Sequence, residues 1–393
     1  MYLSQLDLQN FRNFKENSFS FSPNTTLILG PNTSGKTNIL EAIYLLATGR
    51  SFRAEVEKEM ISYGKEIARV KGTIRKSSAN ISSHRFTSED RKIRIDQKSG
   101  LSDLSGFRFE PTSADSAEFS ELEFILTTGQ IEGMPSPHKK LLVNGVSKRM
   151  IDFVGNLRAV LFWPEDLDLV TNSPSLRRKY LDLVLSQVDR EYRRCLLSYE
   201  KGLRQRNRLL ERIRDEGVSR SQLLFWDKLL VKNGGILTDK RMEFIDFVNN
   251  FQSNPNFQFS IYYDKSVISE GRLAQYEKEE VEAGATLVGP HRDDIKFEIR
   301  NSKLETTRNL SLFGSRGEQR LAVLWLKLCE LEFMAQKTGE RPILLLDDIF
   351  SELDHDHRKH VLEVIPQQQT IITTTDLHLV EKEYLKEIKI IEL

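Results

Sequence analysis

The stretch "LILGPNTSGKTNIL", Leu27 to Leu40, decides the fold. Apolar residues of strand character run into a loop bounded by Gly30 and Gly35. Beyond it, apolar groups recur with helical spacing at Ile39, Leu40, Ile43, Leu46 and Ala47, up to a stop at Gly49. Gly30-Pro31-Asn32-Thr33-Ser34-Gly35-Lys36-Thr37 has the spacing of a phosphate loop, in which glycines let backbone N–H groups approach phosphates and the helix N-terminus favours negative charge. In such a loop Lys36 reaches the β- and γ-phosphates and Thr37 holds Mg²⁺, so the stretch predicts ATP or GTP binding.

Upstream, "YLSQLDLQNF" and "FSFSPNTTLILG" alternate apolar and polar residues, which predicts two or three strands ending at Gly30. Residues 76–121 turn to Ser, Asp, Glu and Lys without a sustained period and read as a mobile insertion. Asn144-Gly145 predicts a hairpin turn. From Ser175 to about Phe251 the chain is helical in pattern, rich in Leu and Arg and free of proline. Strand patterns return near Phe257–Tyr263 and in "GATLVGPHRDDIKFEI". The end reads helix (about Ser315 to Gln336), strand (Ile343 to Leu346), helix (about Asp356 to Val364), strand (Thr370 to Thr374). That order is α/β, a mixed sheet with its phosphate-loop helix plus a mainly helical second lobe.

A chain of 393 residues with 39% hydrophobic content builds a sizeable core. Lys plus Arg and Asp plus Glu number 57 each, so no bulk field attracts a polyanion and any nucleic-acid binding needs a local patch. Cys195 and Cys329 fit no metal spacing and read as two buried thiols in a reducing compartment. The start "MYLSQLDLQNFRNF" has no leader pattern and no later run approaches a membrane span, so a cytoplasmic location is expected.

In "RPILLLDDIFSELD" four apolar residues read as a strand buried on both faces and ending in two carboxylates. Phosphate-loop proteins place their metal-holding carboxylate at such an edge. Asp347 is therefore the metal-site candidate, through a Mg²⁺-bound water, and Asp348 is placed to orient or activate the attacking water. The two motifs lie at opposite ends of the chain. The expected ATPase lobe is thus 1–165 with 280–393, split by a helical second lobe at 166–279.

In "LFGSRGEQRLAVLWLKL" Ser315 can cap a helix whose Glu318 closes the capping box, leaving a glycine-bearing N-terminus with free N–H donors. Ser315-Arg316-Gly317-Glu318-Gln319, shortly before the acidic strand, resembles the signature motif of ABC-type ATPases. That resemblance implies that Ser315, Gly317, Glu318 and Gln319 meet the γ-phosphate of ATP bound by a partner, hence a homodimer enclosing two ATP molecules. "SELD" resembles the D-loop that crosses such an interface. A transporter subunit would be shorter and would carry a switch histidine after its final catalytic strand, which here ends Thr373 to Asp376. An SMC-type protein would need long heptad runs, for which this chain has no room.

The pattern resembles the RecF family of DNA replication and repair proteins, through "LDLQNFRNF", "GPNTSGKTNILEAIYLLATGRSFR", "LLVNGV", "VLFWPEDLDLV", "LRRKYLDLVLSQVD", "SYEKGLRQRNRLL", "WDKLL", "LVGPHRDDIKFEI", "GSRGEQR", "LLLDDIFSELD" and "TTTD". The resemblance implies a weak, DNA-dependent ATPase that uses ATP as a switch. It also implies work at gapped or stalled replication sites, with RecR and RecO as partners and RecA loaded onto strands coated by SSB. Two departures stand out. Thr33 occupies a position where the family usually has glycine, and 76–121 exceeds the family's usual hairpin. "HRDD", His291 to Asp294, is like a kinase catalytic loop, but Glu298 stands where that loop needs Asn. His291 and Arg292 are expected near the nucleotide or tying the lobes together, with a structural salt bridge as the equal alternative.

For DNA, a helix advancing about 100° per residue puts Arg190, Arg193, Arg194, Lys201, Arg204, Arg208 and Arg212 in one stripe, with Tyr192, Leu196, Tyr199, Leu203 and Leu210 roughly opposite. Arginine-rich and nearly free of acids, the stripe is the candidate duplex contact.

Overall fold

The computed structural model describes residues 1–75, 119–251, 258–301, 306–352, 355–376 and 388–393. The expected insertion 76–121 lies outside them except for 119–121, which begin the strand Phe119–Thr127. That strand's start belongs to a sheet and not to a loop because Phe119, Ser120 and Glu121 pair antiparallel with Arg75, Ile74 and Thr73.

Among the described residues, parallel pairing is confined to one sheet and antiparallel pairing to the others. A five-stranded sheet runs in the order Ala159–Phe162, Ile343–Asp347, Thr370–Thr374, Thr25–Leu29, Lys389–Glu392, every pairing parallel. Its inner strands Ile343–Asp347 and Thr370–Thr374 are buried at every position because both faces are covered. Alternate residues feed two cores. Ile28, Ile343, Leu345 and Ile371 join the helix Lys36–Thr48 and the antiparallel sheet, whereas Leu27, Leu344, Leu346 and Ile372 join the helix Arg316–Thr338 and the helical lobe. The second sheet has six antiparallel strands, in the order Phe14–Ser20, Tyr2–Phe11, Ile67–Arg75, Phe119–Thr127, Lys139–Val143, Val146–Lys148. Its last hairpin turns at Asn144 and Gly145 with φ of 51° and 75°, the left-handed pair that a two-residue turn requires.

The helical run resolves into Pro174–Val188, Arg190–Glu216 and Leu224–Asn250. Asp189 separates the first two because its carboxylate caps the next helix, accepting from the N–H groups of Glu191 and Tyr192. Gly217, at φ 68°, ends the second. The two 27-residue helices approach closely at Gly202, where a Cβ would meet a Leu229 methyl at 2.6 Å. Tyr192, Leu196, Tyr199 and Leu210 are buried and Leu203 partly so, as the helical spacing predicts.

A boundary at 280 does not follow the strand pairing. Phe259–Asp264, expected in the helical lobe, pairs antiparallel with Asp294–Asn301, expected in the ATPase lobe, since a lone strand leaves its backbone groups unpaired. The "HRDD" segment is the hub of this junction. Asp293, fully buried, accepts from Arg241 at 2.8 Å, and Asp294 forms a bidentate pair with Arg177 at 2.6 and 3.1 Å. Arg241 also donates to Asp182 and Tyr192. Cys195 and Cys329 are free and buried. Among the described residues no helix is long and apolar enough to cross a membrane.

Candidate nucleotide site

The phosphate loop leaves the inner strand Thr25–Leu29 and enters the helix Lys36–Thr48 through Gly35, whose φ of 106° excludes a side chain. The loop, the acidic strand end and the segment Trp163–Glu165 enclose an open cleft of about 530 Å³. Asn32, Thr33, Gly35, Lys36, Thr37, Asp347 and Asp348 line it. Residues some 310 positions apart in sequence meet because parallel pairing in this sheet sets the edges of Thr25–Leu29, Thr370–Thr374 and Ile343–Asp347 side by side.

Lys36 is buried, and its ammonium donates to the carbonyls of Gly30 (2.6 Å) and Pro31 (2.9 Å). Burial holds its pKa below the usual lysine value, with Asp348 and Asp347 pulling the other way. Thr37 donates to Asp347 Oδ1 at 3.1 Å, and the Thr373 hydroxyl donates to the same oxygen at 2.7 Å. Hydroxyl and carboxylate oxygens within bonding distance of each other suit a hard cation such as Mg²⁺. Among the described residues no cluster of three or more His, Cys, Asp or Glu forms a metal cage, so such an ion would draw most of its ligands from phosphate and water. Asp348 sits left-handed at φ 51°, its N–H held by Thr373, which turns it out of the strand into the cleft.

The family model of the RecF/RecN/SMC N-terminal domain matches residues 2–391. A curated relative, the DNA replication and repair protein RecF of Herpetosiphon aurantiacus, is 35% identical over 99% of this chain and 97% of its own. The protein of the same name from Halalkalibacterium halodurans is 32% identical over 100% and 98%. The chain belongs to the RecF family. A solved structure of the recombination mediator protein RecF-ATP in the RecFOR pathway superposes with a TM-score of 0.78 at 30% identity, covering 97% of this chain and 93% of that one. The corresponding RecF-ATPrS structure gives 0.76.

In this RecF-family chain the capping box at Ser315 forms as expected: the Ser315 hydroxyl accepts from the Glu318 N–H and Glu318 accepts from the Ser315 N–H. Ser315 and Gly317 are exposed, and a Cβ at Gly317 would meet open space. Gln319 departs from its expected role. It is buried, and its amide donates to the carbonyls of Leu310 (3.0 Å) and Gly314 (3.3 Å), because the first helical turn points that side chain back into the protein. Glu318 is spent on the cap and on an ion pair with Arg308. None of the four lines the chain's own phosphate cleft. The side chains of "SELD" lie outside the described residues.

The basic stripe narrows. Arg190 pairs with Asp152 at 2.7 Å, Arg194 with Glu191 at 3.4 Å and Arg212 with Glu216 at 3.0 Å, while Arg193 turns inward onto the Ser186 carbonyl. Lys201, Arg204 and Arg208 stay exposed, with no salt bridge or hydrogen bond to any described residue. His291 and Arg292 are not at the nucleotide cleft; both bond the Thr286 carbonyl.

Residue-type reasoning missed Arg53, Trp163 and Glu165, which form the far wall of the cleft. Burial, then the nearby Asp347, raises the Glu165 carboxyl above its usual range, with Arg53 opposing. The only signal for them lay in "GRSFR" and "VLFWPEDL", stretches that resemble the family but carry no local chemical pattern.

Proposed function

We propose that the chain is an ATP-dependent duplex-DNA-binding protein of recombinational repair and replication restart, acting in the cytoplasm. The observation that carries this reading is the meeting of Lys36, Thr37, Asp347 and Asp348 in one cleft from opposite ends of a RecF-family chain. Lys36 supplies a point charge to the β- and γ-phosphates. Thr37 and Asp347 hold Mg²⁺, which neutralises phosphate charge when bound. Asp348 orients the attacking water. The exposed helix end at Ser315 and Gly317, which does not line its own cleft, supports a second copy's ATP, so that two ATP molecules close a homodimer. DNA lies across the dimer against Lys201, Arg204 and Arg208, and slow hydrolysis releases it. RecR and RecO are its expected partners, and RecA loading at gaps its outcome.

Sedimentation of the full chain with and without ATP and duplex DNA tests the reading. ATP should produce a dimer that carries duplex, and Lys36→Met should abolish both. Reversing Arg204 and Arg208 to Glu should weaken duplex binding at all sequences alike, reduce the salt slope by about one unit per lost contact, and spare ATP binding. Wild-type DNA affinity and salt dependence in that double variant would remove this helix from the DNA path.

A further inference from the structure

Glu41 lies on the phosphate-loop helix one turn beyond Thr37 and is completely buried. A buried carboxylate is costly unless it is paired and hydrogen-bonded, and this one is saturated from two directions. Arg12, from the turn between the first two strands, donates in bidentate fashion at 2.6 and 2.8 Å. Ser51, beyond the end of the helix, donates at 2.5 Å. The nucleotide reading assigns Glu41 no task, yet both segments that it grips continue to the phosphate cleft.

On the first side, the turn holds Asn10 and Arg12 left-handed, at φ 50° and 53°, a conformation that asparagine tolerates but that in arginine costs energy and persists only where the surroundings enforce it. The next residue, Asn13, donates to the Ser34 carbonyl at 3.1 Å and accepts from Asn38 at 2.8 Å. It packs so tightly on the loop that a Cβ on Gly35 would lie 2.7 Å from its amide. Asn13 thereby fixes the Ser34–Gly35 peptide, from which the phosphate-facing N–H groups begin. On the second side, the Ser51 hydroxyl accepts from the N–H groups of Arg53 (2.9 Å) and Ala54 (2.7 Å), and the Arg53 guanidinium donates to Asn38 at 3.0 Å. Arg53 lines the cleft.

We infer that Glu41 is a positioning residue for nucleotide binding, clamping the Arg12–Asn13 turn behind the phosphate loop and the Ser51–Ala54 segment on the cleft's far wall to one helix. The inference rests on the nucleotide reading above. It places Asn13 and Ser51 as the two arms through which Glu41 acts.

The test is equilibrium titration of the full-length chain with a fluorescent ATP analogue and Mg²⁺, together with thermal melting in the absence of nucleotide. Asn13→Ala should weaken nucleotide binding by about threefold to tenfold, the range of a single lost hydrogen bond, with little change in melting. Glu41→Gln should weaken it further. The double variant should be no weaker than Glu41→Gln alone, because both changes cut the same arm. Arg12→Lys, which keeps the charge but loses the fork, should follow Glu41→Gln, and it replaces that variant, with Ser51→Ala for the other arm, if the glutamine protein does not fold. Wild-type affinity in folded Asn13→Ala, or losses that add independently in the double variant, would overturn the inference. A wild-type chain that binds no nucleotide overturns the nucleotide reading as well, whereas tight binding by wild type and variants alike overturns this inference alone.

Discussion

Thr33 shows at one residue how sequence departure and geometry meet. It stands in the phosphate loop at φ 71°, a left-handed conformation that is unfavourable for a β-branched side chain. Glycine would relieve a strain of roughly 1–2 kcal/mol while adding roughly 0.5–1 kcal/mol of unfolded-state entropy, a net gain near 0.5–1 kcal/mol. Thr33→Gly should therefore raise the melting temperature of the nucleotide-free chain by about a degree or more. A lowered temperature would show that the loop holds threonine without strain. Asp348 is also left-handed, but Asp tolerates that region and gains a place in the cleft from it. Asp348→Asn should keep nucleotide affinity and reduce kcat by about a hundredfold or more, since an amide cannot take a proton from water. Wild-type turnover would move that role to another group, with Glu165 the further carboxylate that lines the cleft.

At the level of elements, the segment around His291 is the joint between the long helices and the strand pair Phe259–Asp264 and Asp294–Asn301. The half-buried His291 ring lies between the Tyr199 hydroxyl at 2.8 Å and the Thr286 carbonyl at 3.0 Å, partners that suit a neutral ring donating at one nitrogen and accepting at the other. Burial, reinforced by Arg292, Arg178 and Arg206, holds its pKa down to about 4 against 6.5, with the Thr286 bond opposing. Between those two values the unfolded chain binds more protons than the folded one. Stability from this group is therefore full above pH 6.5 and is lost as pH falls toward 4. Urea unfolding at pH 7 and pH 5 should show a loss of about 2 kcal/mol from this residue, absent from His291→Gln. An identical pH dependence in the variant would assign the loss to other groups.

For the molecule as a whole, the phosphate cleft and the Ser315 helix end are separate features of one chain, and the proposed dimer requires each to meet the other's copy. Ser315→Trp should leave ATP binding by the monomer intact and abolish ATP-dependent dimerisation, because an indole fills the space of the partner's γ-phosphate. Dimers of normal affinity in sedimentation would refute the assignment. Gln319 would not serve as a test, since its amide ties the signature helix to the preceding turn and its removal would disturb the fold.

The loop Gly30–Thr37, the acidic strand end at Asp347 and Asp348, the capping box at Ser315 and the Asn144-Gly145 turn were all legible in the sequence. Each is a local rule: a backbone conformation, a helix end or a buried strand dictated by residues a few positions apart. The buried face of the long Arg190–Glu216 helix was legible for the same reason, since helical period alone decides it. Tertiary structure decided everything that depends on partners distant in sequence. It turned Arg193 inward and paired Arg190, Arg194 and Arg212 with Asp152, Glu191 and Glu216, so that of the seven cations offered by spacing Lys201, Arg204 and Arg208 are left without an ion pair to any described residue. It carried the strand Phe259–Asp264 across an expected boundary, buried Gln319, and placed Arg53, Trp163 and Glu165 on the cleft wall. Periodicity says which side of an element is buried; only packing brings a particular carboxylate within 3 Å of a particular cation, as Glu41 and Arg12 show.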